Sequence, residues 1–173
     1  MYAYGAVVAL QGVFLLLADP LLYNSIRGVT GASLIVAGIL AIFTVYNKQR
    51  KEVQSAYHAM HAFAMLIYGF TILFFCNTIE KLAMVSEFLF IFYAFSEIIF
   101  CSLLFNMERK INFNILYVRI FIAFSVGIGT IFAMQFSALE LKGFGMLFVA
   151  IGINIMLYVP IMKSEPKPQL PIS

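Results

Sequence analysis

Five ionisable residues lie inside long apolar stretches of the sequence: His58, His61, Glu87, Glu97 and Arg119. If these stretches cross a membrane, such groups are costly there and usually face a partner or a cavity. At a helical rise of about 1.5 Å per residue, Glu97 lies roughly 12 Å, Arg119 about 10 Å and His61 about 9 Å from one membrane surface. Three segments therefore place ionisable groups in one slab, with His58 shallower and Glu87 nearer the opposite face.

The two opposite charges of this slab can pair. We expect a Glu97–Arg119 ion pair, because neither charge is tolerable alone at that depth. Such a pair would be a structural clasp between two helices. In a second interpretation, Arg119 extends to the headgroups and Glu97 is protonated. In a third, the slab is a proton-responsive or ion-conducting site in which His61 titrates. The sequence leaves the three interpretations open.

The two histidines could share a helix face, since they are three residues apart. Met60 between them offers a sulfur ligand that suits copper(I). Two histidines without a clear third ligand make a poor site, so we predict that His58 and His61 hold no metal and that the chain needs no cofactor. The sequence has no phosphate-binding glycine loop, nucleophile elbow or zinc-spaced cysteine pair, so we predict that the protein is not an enzyme.

Several tyrosines lie near the ends of the apolar stretches. The chain has no tryptophan, so tyrosine and phenylalanine must supply any aromatic belt at the membrane surface. We interpret several of them as interfacial residues, and the candidates are Tyr57, Tyr68, Tyr93, Tyr117 and Tyr158.

The composition is that of a membrane protein. Of the 173 residues, 63% are hydrophobic and 11% charged, whereas soluble proteins are roughly half apolar and a quarter charged. A soluble domain of this size could not hide so much apolar surface from water. The net charge of +3 gives no dense basic face, so we expect the lipid bilayer and no nucleic acid as a partner.

Six apolar segments divide the chain. They cover about 3–17 (or 3–23 if the helix continues through Asp19-Pro20), 28–46, 56–76, 82–105, 114–134 and 143–162. A membrane helix takes roughly 20 residues, and barrel strands would be about half as long and alternate in polarity. We therefore predict an all-α membrane protein whose single domain, residues 1–162, has six transmembrane helices. Residues 163–173, with prolines that stop a helix, are predicted to be a loose tail.

Basic residues divide unequally between the two ends of these segments. One side holds Lys48, Arg50, Lys51, Arg109, Lys110, Lys163 and Lys167, and the other holds Arg27, Lys81 and Lys142. The positive-inside rule then places both termini in the cytoplasm. The start of the chain lacks the basic region of a signal peptide, so the first segment is predicted to be a retained helix.

Glycines recur at fixed spacings and suggest a repeat. Lipid tails are as apolar as leucine, so membrane helices associate where small residues let backbones approach. The glycines expected to pack helices are Gly12, Gly31, Gly38, Gly69, Gly129, Gly145 and Gly152. The frame 31–38 returns as 145–152, and the run after Gly12 can be aligned with those after Gly69 and Gly129. This alignment predicts three helical hairpins, about 3–46, 56–105 and 114–162.

The middle hairpin is the most diverged copy. There Ser96-Glu97 stands where the other hairpins have Gly38-Ile39 and Gly152-Ile153. We therefore expect the functional residues to lie where the middle hairpin departs from the repeat. An alternative use of two glycines, Gly127 and Gly129, is a hinge in the fifth helix.

The pattern of small residue, apolar run, glycine, apolar run, Asp19-Pro20 and a Gly31–Gly38 helix resembles the HdeD-like (DUF308) short-repeat membrane proteins. The resemblance is strongest over residues 5–43, weaker over 122–156 and weakest over 56–105. It implies a six-helix prokaryotic inner-membrane protein of three hairpin repeats, linked to acid resistance and stress. The chain departs from the pattern because Asp19-Pro20 is not repeated and because the middle hairpin carries acids and histidines.

Three functions follow as expectations. The first is a non-enzymatic HdeD-like membrane protein with a stress or acid-response role, which rests on the resemblance alone. The second is a structural subunit of a larger complex, with other membrane chains as homo- or hetero-oligomeric partners. The third is a small transporter or channel that uses His61, Glu97 and Arg119. A water-accessible cavity reaching Glu97 would favour the third function.

Overall fold

The computed structural model describes residues 2–46, 53–105, 113–136 and 141–158, and no strand occurs within those ranges. The helices are α1 (Tyr2–Leu17), α2 (Tyr23–Tyr46), α3 (Val53–Phe75), α4 (Ile79–Phe105), α5 (Phe113–Phe136) and α6 (Leu141–Met156), with a 3-10 turn at Pro20–Leu22. Each helix overlaps one of the six apolar segments, so the all-α prediction is confirmed. The predicted tail and the basic residues assigned to the cytoplasmic side lie outside the described residues.

Four helices are long and apolar enough to cross a membrane, as in an integral membrane protein. The crossing stretches are Pro20–Thr44, Ala56–Phe75, Ile79–Phe105 and Phe113–Met134. The described parts of α1 and α6 are also apolar but have 16 residues each, fewer than the roughly 20 that a span usually takes.

The surface of the bundle is apolar and its interior holds polar groups. Large side chains such as Leu17, Phe74 and Phe121 are exposed, whereas Glu97 and Arg119 are buried. A soluble protein would bury the first set and expose the second. The arrangement suits a lipid environment, in which ionisable groups face the bundle interior.

The first apolar segment ends before Asp19-Pro20. Helix α1 stops at Leu17, and the Asp19 side chain then accepts a hydrogen bond of 2.9 Å from the Leu21 amide. Proline opens the short turn that follows, where its missing N–H costs nothing. A single helix running on to Tyr23, the longer of the two predicted alternatives, is therefore not formed.

The tightest helix pairs are α1 with α6, α2 with α3, and α4 with α5. The helices joined by the predicted hairpin turns, such as α3 and α4, share fewer contacts than these pairs. Each tight pair therefore joins one predicted hairpin to the next, or the last to the first.

Glycines allow the close approach of α1 and α6. A Cβ added to Gly12 would lie 2.5 Å from the carbonyl oxygen of Gly145, and one added to Gly152 would lie 2.5 Å from the amide nitrogen of Ala9. Both distances are far inside van der Waals contact with backbone atoms, which cannot move without separating the helices. The two helices run antiparallel, since Gly5 in turn faces Gly152.

The same arrangement recurs between α2 and α3. A Cβ on Gly31 would lie 2.9 Å from the carbonyl oxygen of Gly69, and one on Gly38 would lie 2.9 Å from that of Ala62. The residues of each helix that meet the other are seven apart, as in the α1–α6 pair. Small residues at this spacing let both antiparallel pairs pack backbone against backbone.

Helix α5, which packs against α4, departs from this arrangement. Gly129, which was aligned with Gly12, meets only Leu147, at an ordinary contact distance of 3.4 Å, and Gly127 faces Ala94 of α4 at 3.3 Å. The helix is continuous through both glycines. Gly28 of α2 has nothing within 4 Å of the place where a Cβ would lie.

Candidate functional site

Glu97 of α4 and Arg119 of α5 form an ion pair inside the bundle. The Arg119 Nη2 atom lies 2.5 Å from Glu97 Oε1, and both side chains are 1% exposed. Arg119 therefore does not extend to the headgroups as in the snorkelling interpretation. Removing both ions from water is expensive, and the pair is tolerable only because each partner compensates the other.

Both oxygens of Glu97 have partners. The Tyr57 hydroxyl of α3 donates a hydrogen bond to Oε2, and the Cys101 Sγ lies 3.5 Å from Oε1. Glu97 thus joins α4 to α5 through Arg119 and α4 to α3 through Tyr57. Hydrogen bonds to a carboxylate are roughly twice as strong as those between neutral groups.

Arg119 lies beside two aromatic rings but is only partly hydrogen-bonded. Its guanidinium carbon lies 4.9 Å from the centre of the Tyr158 ring and 5.8 Å from that of Phe100. These are cation–π distances. Its Nε and Nη1 atoms are buried and have no acceptor among the described residues. Arg119 therefore retains donors that could bind a further acceptor.

The histidines lie in the same cluster but do not touch the ion pair. His61 Nε2 is 2.8 Å from the Ser96 hydroxyl, which donates to the Tyr93 carbonyl oxygen at 2.9 Å. His58 packs edge-on against Tyr158, with ring centres 4.3 Å apart, and its nitrogens find no partner in the described part of the chain. Both imidazoles are buried.

The tyrosines differ in their burial. Tyr57, Tyr93 and Tyr158 are buried in the cluster, whereas Tyr117 is 62% exposed. The Tyr93 hydroxyl accepts a 2.7 Å hydrogen bond from Asn154 of α6, another residue that the sequence did not single out. The sequence did indicate that Tyr57 and Tyr93 belong to the cluster. Tyr57 precedes His61, and Tyr93 precedes Glu97, by four residues, which places each pair on the same helix face.

A groove of about 680 Å³ between α3 and α4 leads from the outside of the bundle to this cluster. We call it the α3–α4 groove. Its apolar lining includes Met60, Phe88, Ile91, Phe92, Phe95 and Ile99, and its polar lining is Tyr57, Tyr68 and Ser96. Phe88, Phe95 and Ile99 are exposed, so the groove opens where lipid would lie.

A single layer of aromatic side chains separates the groove from the ion pair. Tyr57 and Phe100 both line the groove, and their rings stack 3.9 Å apart with a 12° angle between planes. On the inner side, Tyr57 bonds Glu97 and Phe100 lies against Arg119.

The inner side of the cluster is nearly dry. The cavity that touches His61 and Tyr93 there measures about 10 Å³ and is otherwise lined by residues such as Leu34, Met65 and Phe148. This is room for about one water molecule. Of these two spaces, the α3–α4 groove is much the larger.

The described residues contain no group of three or more histidine, cysteine, aspartate or glutamate side chains that could hold a metal ion. Glu87, predicted to lie nearer the opposite face, is partly exposed on α4, two turns or more from Glu97.

The hydrogen bond from Tyr57 to Glu97 gives a testable consequence. We expect Tyr57→Phe to lower the free energy of unfolding by about 1.5 kcal/mol, because a bond to a buried charge is lost while the ring is kept. Thermal unfolding of the detergent-solubilised protein measures this. Tyr117→Phe, on an exposed tyrosine, is the control, and an equal effect of both changes would contradict the assignment.

Comparison of the chain with protein-family models, curated proteins and solved structures found no significant match.

Proposed function

We propose that this protein is a non-enzymatic integral membrane protein that binds an amphiphilic molecule from the bilayer in the α3–α4 groove. The observation that carries the proposal is the continuity of this groove with Tyr57, whose hydroxyl bonds the buried Glu97. The proposal narrows the transporter-like expectation to a ligand that enters sideways from lipid.

The size and lining of the α3–α4 groove suit a hydrocarbon chain. Its volume of about 680 Å³ is within the usual range for ligand pockets, and such sites combine apolar walls with a few polar groups. The lining runs from Phe88 to Leu103 on α4, a rise of about 22 Å. That length is about two thirds of the roughly 30 Å hydrocarbon core.

The polar lining indicates how an amphiphile would be oriented. Tyr57 lies near the start of α3 at one end of the groove, Ser96 lies about halfway along the α4 lining, and Phe88 and Tyr68 lie at the other end. Tyr57 is four residues from the described start of α3, or about 6 Å along the helix. The polar head would therefore lie near the membrane surface, and the chain would run inward, as a lipid does.

We further propose six spans arranged as a ring of three hairpins, with both termini in the cytoplasm. The support is the packing of α1 on α6 and of α2 on α3 through residues seven apart, including Gly12 on Gly145 and Gly31 on Gly69. The proposed HdeD-like membership and a stress or acid-response role in a prokaryotic inner membrane rest on the sequence resemblance.

An aqueous channel is the less favoured alternative, since the cavity beside His61 has room for only about one water. A structural subunit of a larger complex is compatible with the same packing, and the Glu97–Arg119 pair would then serve only to hold α4 against α5. Occupation of the α3–α4 groove separates these alternatives from the proposed function.

The absence of tryptophan from the chain permits a direct test. Phe88→Trp places a unique fluorophore in the groove lining, and Phe121→Trp places one on the exposed surface of α5. In nanodiscs, a long-chain alcohol brominated along the chain should quench the fluorophore at position 88 saturably at low mole fraction. The fluorophore at position 121 should be quenched only in proportion to the membrane concentration. Equal, unsaturable quenching at both positions would overturn the proposed function.

A further inference from the structure

We infer that the amphiphile carries a single anionic head, which replaces Glu97 on Arg119 while Glu97 takes up one proton. This inference rests on the proposed function, because it names the chemistry of the ligand that the α3–α4 groove accepts. In the unliganded protein the counter-ion of Arg119 is Glu97. In the liganded protein the counter-ion is the anionic head of the amphiphile.

Arg119 provides the donors for such a head. Only Nη2 bonds Glu97, and the buried Nε and Nη1 atoms have no acceptor within the described ranges. Buried donors without acceptors are rare and costly in proteins. A planar guanidinium with unused donors recognises carboxylate, sulfonate and phosphate groups in particular. A neutral alcohol could occupy the groove but could not replace a counter-ion.

One side chain, that of Tyr57, separates the α3–α4 groove from the ion pair of Arg119 and Glu97. Tyr57 is both part of the groove lining and the donor to Glu97 Oε2. When the head of an amphiphile enters beside Phe100, the same hydroxyl can donate to it instead. Arg119 need not move, because Tyr158 and Phe100 already hold its guanidinium.

Charge balance requires the proton. With Glu97 ionised, Arg119 and a bound anion would leave one uncompensated negative charge in a site that is 1% exposed. A buried charge without a partner is strongly disfavoured, and the group that can be neutralised is Glu97. The proton comes from water and ends on the Glu97 carboxyl. Binding is therefore electroneutral overall, one anion with one proton.

Other titratable groups surround this carboxyl and must be separated from it experimentally. Those that face the cluster from the described helices are Tyr4 on α1, Tyr57, His58 and His61 on α3, Tyr93 and Cys101 on α4, Arg119 on α5 and Tyr158 after α6. Of these, the two histidines are the ones that could take up a proton near neutral pH in place of Glu97.

The test uses the Phe88→Trp protein in nanodiscs and two probes with the same brominated chain. One is the alcohol, and the other is the alkyl sulfonate, which stays anionic at all pH values used and brings no proton of its own. One coupled proton should raise the sulfonate affinity as the pH is lowered from about 8 to about 5, by at most about tenfold per pH unit, and leave the alcohol affinity unchanged. Glu97→Gln, which mimics the protonated acid, should bind the sulfonate tightly and without pH dependence.

Two further variants keep the inference testable if Glu97→Gln does not fold. His58→Gln and His61→Gln should each retain the full pH dependence of sulfonate binding. Loss of that dependence in either variant would show that a histidine takes up the proton, and would overturn the inference.

The two proposals fail in different ways. Saturable binding of both probes with a pH-independent sulfonate affinity would overturn the exchange at Glu97 and leave the groove as a binding site. Failure of both probes to bind saturably would overturn the proposed function itself. Saturable binding of both probes, with a sulfonate affinity that rises at low pH, supports both the proposed function and the exchange at Glu97.

Discussion

Glu97→Gln is expected to lower the stability of the solubilised protein by about 3 kcal/mol, because the change leaves Arg119 charged and buried without its counter-ion. In a chain of this size that corresponds to roughly 10 °C in the unfolding temperature. Glutamine keeps the volume of glutamate and can still accept from Tyr57, so the loss reports the charge. The measurement is the temperature at which half of the protein remains monodisperse in mild detergent.

Two comparisons establish that the loss comes from the ion pair. Glu87→Gln, on the same helix but partly exposed, should change the unfolding temperature by less than about 2 °C, as surface changes do. The double variant with Glu97→Gln and Arg119→Gln should recover most of the stability, since it removes both buried charges. A Glu97→Gln protein as stable as the parent would contradict the clasp.

Gly12→Ala is expected to separate α1 from α6. The new Cβ would lie 2.5 Å from the Gly145 carbonyl oxygen and 2.6 Å from the Val149 amide nitrogen. Both are backbone atoms, so no side-chain rotation can relieve the contact. Overpacking of this kind costs about 1–3 kcal/mol, and the weakened helix pair should also be more readily proteolysed and exchange its amide hydrogens faster.

Gly28→Ala is the matched control for this substitution. It makes the same chemical change in a helix, but nothing lies within 4 Å of its Cβ. We expect it to leave the unfolding temperature unchanged or to raise it slightly, since alanine favours helix over glycine. Equal destabilisation by Gly12→Ala and Gly28→Ala would mean that the loss does not come from the α1–α6 contact.

Residues that carry a large energetic penalty were predictable from the sequence. An isolated glutamate and an isolated arginine in apolar helices demand partners, and Glu97 and Arg119 do lie together. Glycines at seven-residue spacing demanded close helix packing, and Gly12, Gly31, Gly145 and Gly152 do meet the backbone of another helix. An unpaired charge inside the bundle would cost too much free energy, and glycine in a loosely packed helix would bring no compensating contact.

Residues with two inexpensive locations were not predictable in the same way. Tyrosine is stable both at the membrane surface and in a hydrogen-bonded interior, so the positions of Tyr57 and Tyr93 along the chain did not show that their side chains face the bundle interior. Gly129 was aligned with Gly12 although Gly127 is the glycine that faces α4. An apolar run contains few residues that fix how two repeats should be aligned. A shift of two residues in the alignment places a side chain on another face of the helix.

The α3–α4 groove could not have been inferred from the sequence. It depends on α3 and α4 packing less closely than their neighbours, and on the conformations of several phenylalanines that are compatible with either a filled or an open contact. Sequence indicated Ser96-Glu97 as the place where the repeat fails. Structure adds that Ser96 lines the groove and that Glu97 lies directly behind Tyr57.

The most direct test of amphiphile binding in the α3–α4 groove is to locate a bound molecule by photo-crosslinking in membranes. A fatty acid with a photoreactive group next to its carboxylate should label Tyr57, Phe100 or Ser96, and one with the group at the chain end should label Phe88 or its neighbours on α3 and α4. The two probes would then define one molecule lying head-first in the α3–α4 groove. Labels spread over exposed residues such as Phe121 and Phe132 of α5, with no difference between the probes, would contradict it.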